Sequence, residues 1–97
     1  MSELDPVIHQ PARLRIMSAL CGLCSSEQVD FGFLKKKLEL TDGNLGAHLA
    51  TLEESGYISV EKTFVEKRPK TFLGVTKAGR RAFEAHVAAL RGILRKG

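Results

Sequence analysis

TDGNLGAHLATLEESGY, Thr41 to Tyr57, carries both ends of a helix in its own residues. Thr41 is a capping residue and Gly56 a stop. Between them Leu45, Leu49 and Leu52 recur at helical spacing, one apolar stripe facing a core. The other side offers Gly43, Asn44, Ala47, His48 and Thr51, all small or hydrogen-bonding and none acidic. A helix over 42–55 with that outer side fits the major groove of double-stranded DNA. Asn44, His48 and Thr51 reach toward base edges, and Ala47 offers an apolar touch. Thr41, Gly43 and the open N–H groups of the first turn suit a phosphate. Asp42 opposes an anion there, so it is expected to point away or to pair with a nearby lysine. Gly46 is expected to lie close against the preceding helix.

Upstream of this stretch, Asp30 caps a helix in FGFLKKKLEL, residues 31–40, whose Phe31, Leu34 and Leu38 share a side. Two helices separated by so short a turn form a helix-turn-helix pattern. Lys36 and Lys37 lie on the outside of the first, within reach of a DNA backbone. Val29 forms a very short strand. Pro11 opens an earlier helix with a broad stripe of Leu14, Met17, Leu20 and Cys21, widened by Ile16, Leu23 and Cys24. Gly22 and the polar run after it end that helix. Residues 1–8 read as an arm.

Downstream the period drops to two. Ile58, Val60 and Phe64 alternate with Ser59, Glu61 and Thr63, and Thr71 to Val75 returns as a second strand. Between them, EKRPK at 66–70 reads as a charged tip. Pro69 lacks an N–H, which suits a tip or an edge. Lys67, Arg68, Lys70 and Thr71 are the candidate phosphate contacts of this hairpin, residues 62–72. Thr76 then caps a final helix over 77–95. That helix carries two stripes: Phe83, Val87, Leu90 and Leu94, and beside them Ala82, His86, Ala89 and Ile93. A single small domain covers both with difficulty. The second stripe and the spare face of the first helix are therefore read as a homodimer surface, with Ile16, Leu20, His86, Ala89, Leu90, Ile93 and Leu94 in it.

The chain of 97 residues is long enough for one domain, 1–97, and one modest core. Net charge is only +4, but its distribution is uneven. Residues 1–60 hold five basic and eight acidic side chains, whereas residues 61–81 hold seven basic and two acidic. A cationic segment placed directly after the central helix is the electrostatic footprint of a polyanion partner. No apolar run approaches the roughly 20 residues of a membrane span, and the N-terminus lacks the pattern of a signal peptide. The expected compartment is the cytoplasm. Cys21 and Cys24 form a lone C-x-x-C without a second pair, so a buried or interface role is expected rather than metal. No P-loop, G-x-S-x-G or H-E-x-x-H occurs, and neither an enzyme nor a cofactor is expected.

The order helix, short strand, helix, helix, hairpin, helix is that of a winged helix-turn-helix domain, mainly α with a small β-hairpin. LGAHLATLEESGYISVEK followed by RPKTFLGVTKAGRRAFEAHVAAL resembles the MarR/ArsR-like winged helix transcriptional regulators of small single-domain type. The similarity spans about residues 8–95. Its most specific parts are Leu52-Glu53-x-x-Gly56-Tyr57-Ile58 and Thr76-Lys77-Ala78-Gly79-Arg80. The resemblance implies operator binding as a dimer, with residues 42–55 in the major groove and the wing on flanking backbone or minor groove. Ala47 stands where many such relatives carry arginine, which removes a bidentate guanine contact. Two other readings remain: a winged helix used for protein contacts, and a regulator responsive to a ligand or metal. The sequence names no effector.

Overall fold

In the computed structural model, residues 4–22 and 28–96 are described. The order is α1 (Pro11–Gly22), β1 (Val29–Asp30), α2 (Phe31–Leu38), α3 (Asp42–Glu54), β2 (Ile58–Val65), β3 (Arg68–Val75) and α4 (Lys77–Lys96). The strands form one antiparallel sheet in the order β1-β3-β2. The fold is thus mainly helical, a winged helix with a three-stranded sheet.

Capping chemistry explains most of the boundaries. Asp30 accepts the N–H of Phe33 and starts α2. Thr41 Oγ1 accepts the N–H of Asn44 at 3.1 Å and starts α3. That helix ends in a Schellman arrangement: Gly56 takes φ 79°, its N–H bonds Glu53, and the N–H of Tyr57 bonds Leu52. The end of α2 comes two residues before the expected Leu40. Glu39 takes the left-handed position at φ 55°, and the N–H groups of Glu39 and Leu40 turn back to Lys36 and Lys35. Glycine ordinarily fills that position, so the residue types alone do not signal the stop.

The hairpin is also longer than its charged run implied. Val65 pairs with Arg68, and the turn is only Glu66-Lys67, both at positive φ (51° and 66°). Two such residues in succession make the mirror-image turn that matches strand twist. Pro69 therefore lies in β3 opposite Phe64. Because the pair closing a two-residue turn exchanges hydrogen bonds, the next pair does not, and the missing N–H at Pro69 faces outward. There β1 does not reach, since it pairs only with Phe72 and Leu73.

Ile16, Met17, Leu34, Leu45, Leu52 and Leu73 form the centre of the core, all fully buried. Ile8 joins them with no exposure, so residues 4–8 pack on the domain and are not an arm. Asp5 fastens it. Its carboxylate accepts the N–H of Val7 at 2.8 Å and the hydroxyl of Tyr57, while its own N–H donates to His86 Nδ1 at 3.1 Å. That acceptance pushes the Tyr57 phenol up to about 12.

This fastening corrects the interface assignment. Ile16, Leu20, His86 and Ala89 are buried within one chain, at 5% exposure or less, and present nothing to a partner. The stripe assigned to a second copy is covered in cis, in part by residues 5–9. Leu90 is half-buried, and Ile93 and Leu94 are exposed near the end of α4.

The junction between α3 and α4 is tight. Thr76 donates its hydroxyl to Gly56 O at 2.6 Å and accepts the N–H of Gly79 at 2.9 Å. A Cβ on Gly79 would lie 1.9 Å from Tyr57 O, so only glycine lets the first turn of α4 cross the chain there.

Candidate nucleic-acid interface

Leu45, Leu49 and Leu52 turn α3 so that Gly43, Asn44, Ala47 and Ala50 are exposed. This outer side is small and polar along its first three turns. Glu53 and Glu54 follow at the far end, and Glu53 lines the cleft beside the hairpin. Thr41 occupies the N–H of Asn44 with its side chain and that of Leu45 with its carbonyl. The first two helical N–H groups, of Asp42 and Gly43, have no partner within the helix. Lys35 Nζ lies 2.8 Å from Asp42 Oδ1, so the acidic residue at this end is neutralised by a lysine of α2.

The two flanks of the helix differ. On the α1 side, His48 is half-buried and its Nδ1 lies 3.5 Å from Arg13 Nη1. Arg13 also donates through Nε to Val7 O, which holds its cation beside α3. Thr51 donates its hydroxyl proton back to Ala47 O at 3.3 Å and keeps only acceptor capacity outward. Asn44 and Ala47 are exposed, whereas His48 and Thr51 are half-buried at the edge of the face.

On the other flank, α3 and the hairpin enclose an open cleft of about 250 Å³, lined by Gly46, Leu49, Ala50, Glu53, Val60, Lys62 and Thr71 together with Phe31. The register explains the composition. Ile58, Val60, Lys62 and Phe64 share one sheet face, opposite Val75, Leu73, Thr71 and Pro69 of β3. The first pairs of this face are core; the later ones continue it outward past α3. Lys62 and Thr71 thus look into the cleft. Arg68 and Lys70 project from the reverse face, and Lys67 stands in the turn. Lys70 Nζ lies 3.7 Å from Asp30 Oδ1 at the root of α2.

The candidates are not all brought together. Thr41, Gly43, Asn44, Ala47, Thr51 and Thr71 gather around α3. Lys67 and Arg68 form a separate cationic tip. Lys36 is exposed on α2, but Lys37 turns toward α1, where it lines a groove with Leu14, Arg15 and Ser18. The lysine of α2 that reaches α3 is Lys35. Sequence reasoning passes over Lys35, Lys62 and Arg13. The alternation of Ile58 and Val60 already places Lys62 on the α3 side, while Arg13 and Lys35 need tertiary packing. Gly46 is not pressed against α2 either: a Cβ there, as at Gly43, would meet nothing within 4 Å.

Burial raises the Cys21 thiol, with Arg80 opposing, so it stays protonated. Cys24 lies outside the described residues. Among the described residues no three His, Cys, Asp or Glu side chains converge as a metal site, and no helix is long and apolar enough to cross a membrane.

Comparison with known proteins agrees with this geometry. The profile of a family described as winged helix DNA-binding domain matches residues 12–94. An uncharacterized protein of Methanocaldococcus jannaschii is 40% identical over 81 residues, covering 84% of this chain and 85% of its own. The structure of a transcriptional regulator homologue from Pyrococcus horikoshii superposes with a TM-score of 0.84 at 28% identity, over 93% of this chain and 86% of that one. A MepR variant from S. aureus matches in fold, with a TM-score of 0.67 at 18% identity, over 84% of this chain and 58% of its own.

Proposed function

This chain belongs to the winged helix DNA-binding domain family, and on that premise we propose that it acts as a homodimeric transcriptional regulator, with α3 in the major groove and the β2–β3 wing on the flanking backbone. The observation that carries the reading is the pairing of α3's exposed small-residue side with the cleft beside it, where Lys62 and Thr71 stand on the wing wall. A phosphate ridge passing through that cleft meets Lys62 and Thr71 on one wall and the Gly46 backbone on the other, with Glu53 at the end of α3 limiting how far along the cleft an anion sits. The open N–H groups of Asp42 and Gly43 take a second phosphate, with Thr41 beside them. Asn44 and Ala47 face the bases. His48 offers Nε2, with Nδ1 turned to Arg13, and Thr51 offers an acceptor. Lys67, Arg68 and Lys70 supply charge along the wing, and Lys36 along α2. Lys37 is the weakest of the set, because it faces α1.

Without an arginine at position 47, base discrimination rests on Asn44 and on the shape of the duplex more than on a guanine clamp. Dimerisation is assigned to Leu90, Ile93 and Leu94 at the end of α4. A two-fold dimer of this kind sets its reading helices about 34–36 Å apart, one turn of DNA.

Salt titration tests the proposal. Each neutralised phosphate adds about −0.9 to the slope of log K against log salt. Lys67→Ala or Arg68→Ala should weaken binding to every duplex and flatten that slope by about one, whereas Asn44→Ala should shift preference among duplexes. A duplex affinity indifferent to salt, or no duplex binding at all, refutes the reading.

A further inference from the structure

The wing ends in an aromatic side chain that the core does not use. Phe64 is 73% exposed, the most open aromatic ring among the described residues. It lies one pair from the turn, on the same sheet face as Lys62, with Pro69 directly across the ladder. Val60, four residues earlier, is the last residue of β2 packed on the core. Four residues of strand carry Phe64 about 13 Å further out. Around it stand Lys62 on its own face, Glu66 and Lys67 in the turn and Arg68 on the reverse, three cations to one anion.

We infer that Phe64, backed by Pro69, is a wedge that enters the minor groove beside the α3 site and partly unstacks a base step there, bending the duplex. The inference rests on the reading that α3 and the wing hold DNA. An exposed phenyl ring at a charged tip of net positive sign is poorly matched to an apolar protein surface, where those charges lose their water. It suits a polyanion whose groove floor is apolar. Rings and prolines used in this way separate stacked bases and kink DNA toward the major groove. The support is stiff: the ring is held by a paired strand and a two-residue turn, not by a loop. Pyrimidine–purine steps such as TA unstack most easily, so the wedge adds a preference in the flank where no hydrogen bond reads a base.

The test uses the full chain and duplexes carrying a TA step or an A-tract in the flank, with 2-aminopurine at that step and a donor–acceptor dye pair on the ends. Wild-type protein should raise 2-aminopurine emission, shorten the end-to-end distance and favour the TA duplex. Phe64→Thr keeps strand propensity and removes the wedge. It should abolish both signals and lower affinity for the TA duplex about tenfold, with little change on the A-tract duplex. Phe64→Leu keeps an apolar wedge and should retain the bend. Lys67→Ala should weaken both duplexes equally with the bend intact. A wild-type complex that leaves the duplex straight and the emission unchanged overturns the inference while leaving the DNA-binding proposal standing, as does a bend that survives Phe64→Thr. Absence of duplex binding by the wild type removes both.

Discussion

Replacing Gly46 with alanine should stabilise the fold and weaken its hold on DNA. Gly46 is interior to α3, and a methyl there meets nothing within 4 Å. Since the added methyl touches no neighbour, the backbone preference decides the outcome: glycine is about 0.8–1 kcal/mol less favourable than alanine in a helix interior. For 97 residues the unfolding entropy near the midpoint is about 0.2 kcal/mol/K. The midpoint should therefore rise by about 4–5 °C, read by circular dichroism without DNA. The same methyl narrows the cleft shared with Lys62 and Thr71, so affinity for duplex DNA, read by anisotropy, should fall. Opposite signs in the two assays are the signature of a site maintained against stability. An unchanged or lower midpoint refutes the open-space argument. A rise in both quantities shows that no phosphate passes through the cleft.

Gly79→Ala should be severely destabilising, because its Cβ would overlap Tyr57 O at 1.9 Å; a loss above about 3 kcal/mol is expected in urea unfolding. Stability should also fall on acidification. Burial holds His86 below its usual 6.5, helped by His9 alongside and opposed by Asp5, so the unfolded chain takes up a proton that the folded chain refuses. The contribution is present above pH 6.5 and is lost as pH falls from there toward the lower folded value; urea midpoints across that range should slope in wild type and flatten in His86→Gln. Leu94→Glu, at a 78% exposed position, should leave the monomer's midpoint unchanged while shifting sedimentation toward monomer and weakening binding to paired half-sites.

What is legible in the sequence is local. Thr41, Thr76 and Gly56 mark helix ends because their side chains, or the lack of one, act within a few bonds of the backbone they cap. The leucine spacing of α3 fixes which side is buried, and so exposes Asn44 and Ala47. Glu39 and the Glu66-Lys67 turn escape such reading because residues with a Cβ occupy left-handed positions usually given to glycine or asparagine. The N-terminal segment escapes it for a different reason. Asp5 and His86 are 81 residues apart, and no periodicity reports a hydrogen bond over that distance. Without that bond in view, the His86 stripe looks bare and is assigned to a partner. Lys62 is recoverable from alternation; Arg13 and Lys35 become neighbours of α3 only through packing.

The two-residue turn at the end of the wing has a consequence of its own. Asn-Gly would close such a turn with less strain, yet it would remove the Lys67 ammonium, together with the Glu66 carboxylate, from the end of the wing. Glu-Lys adds no net charge, so what its strained backbone retains is a lysine with reach. Grafting Asn-Gly at 66–67 should give a sturdier finger of the same net charge that lacks its terminal ammonium group. The two demands on that fingertip, firmness and reach, can then be measured one against the other.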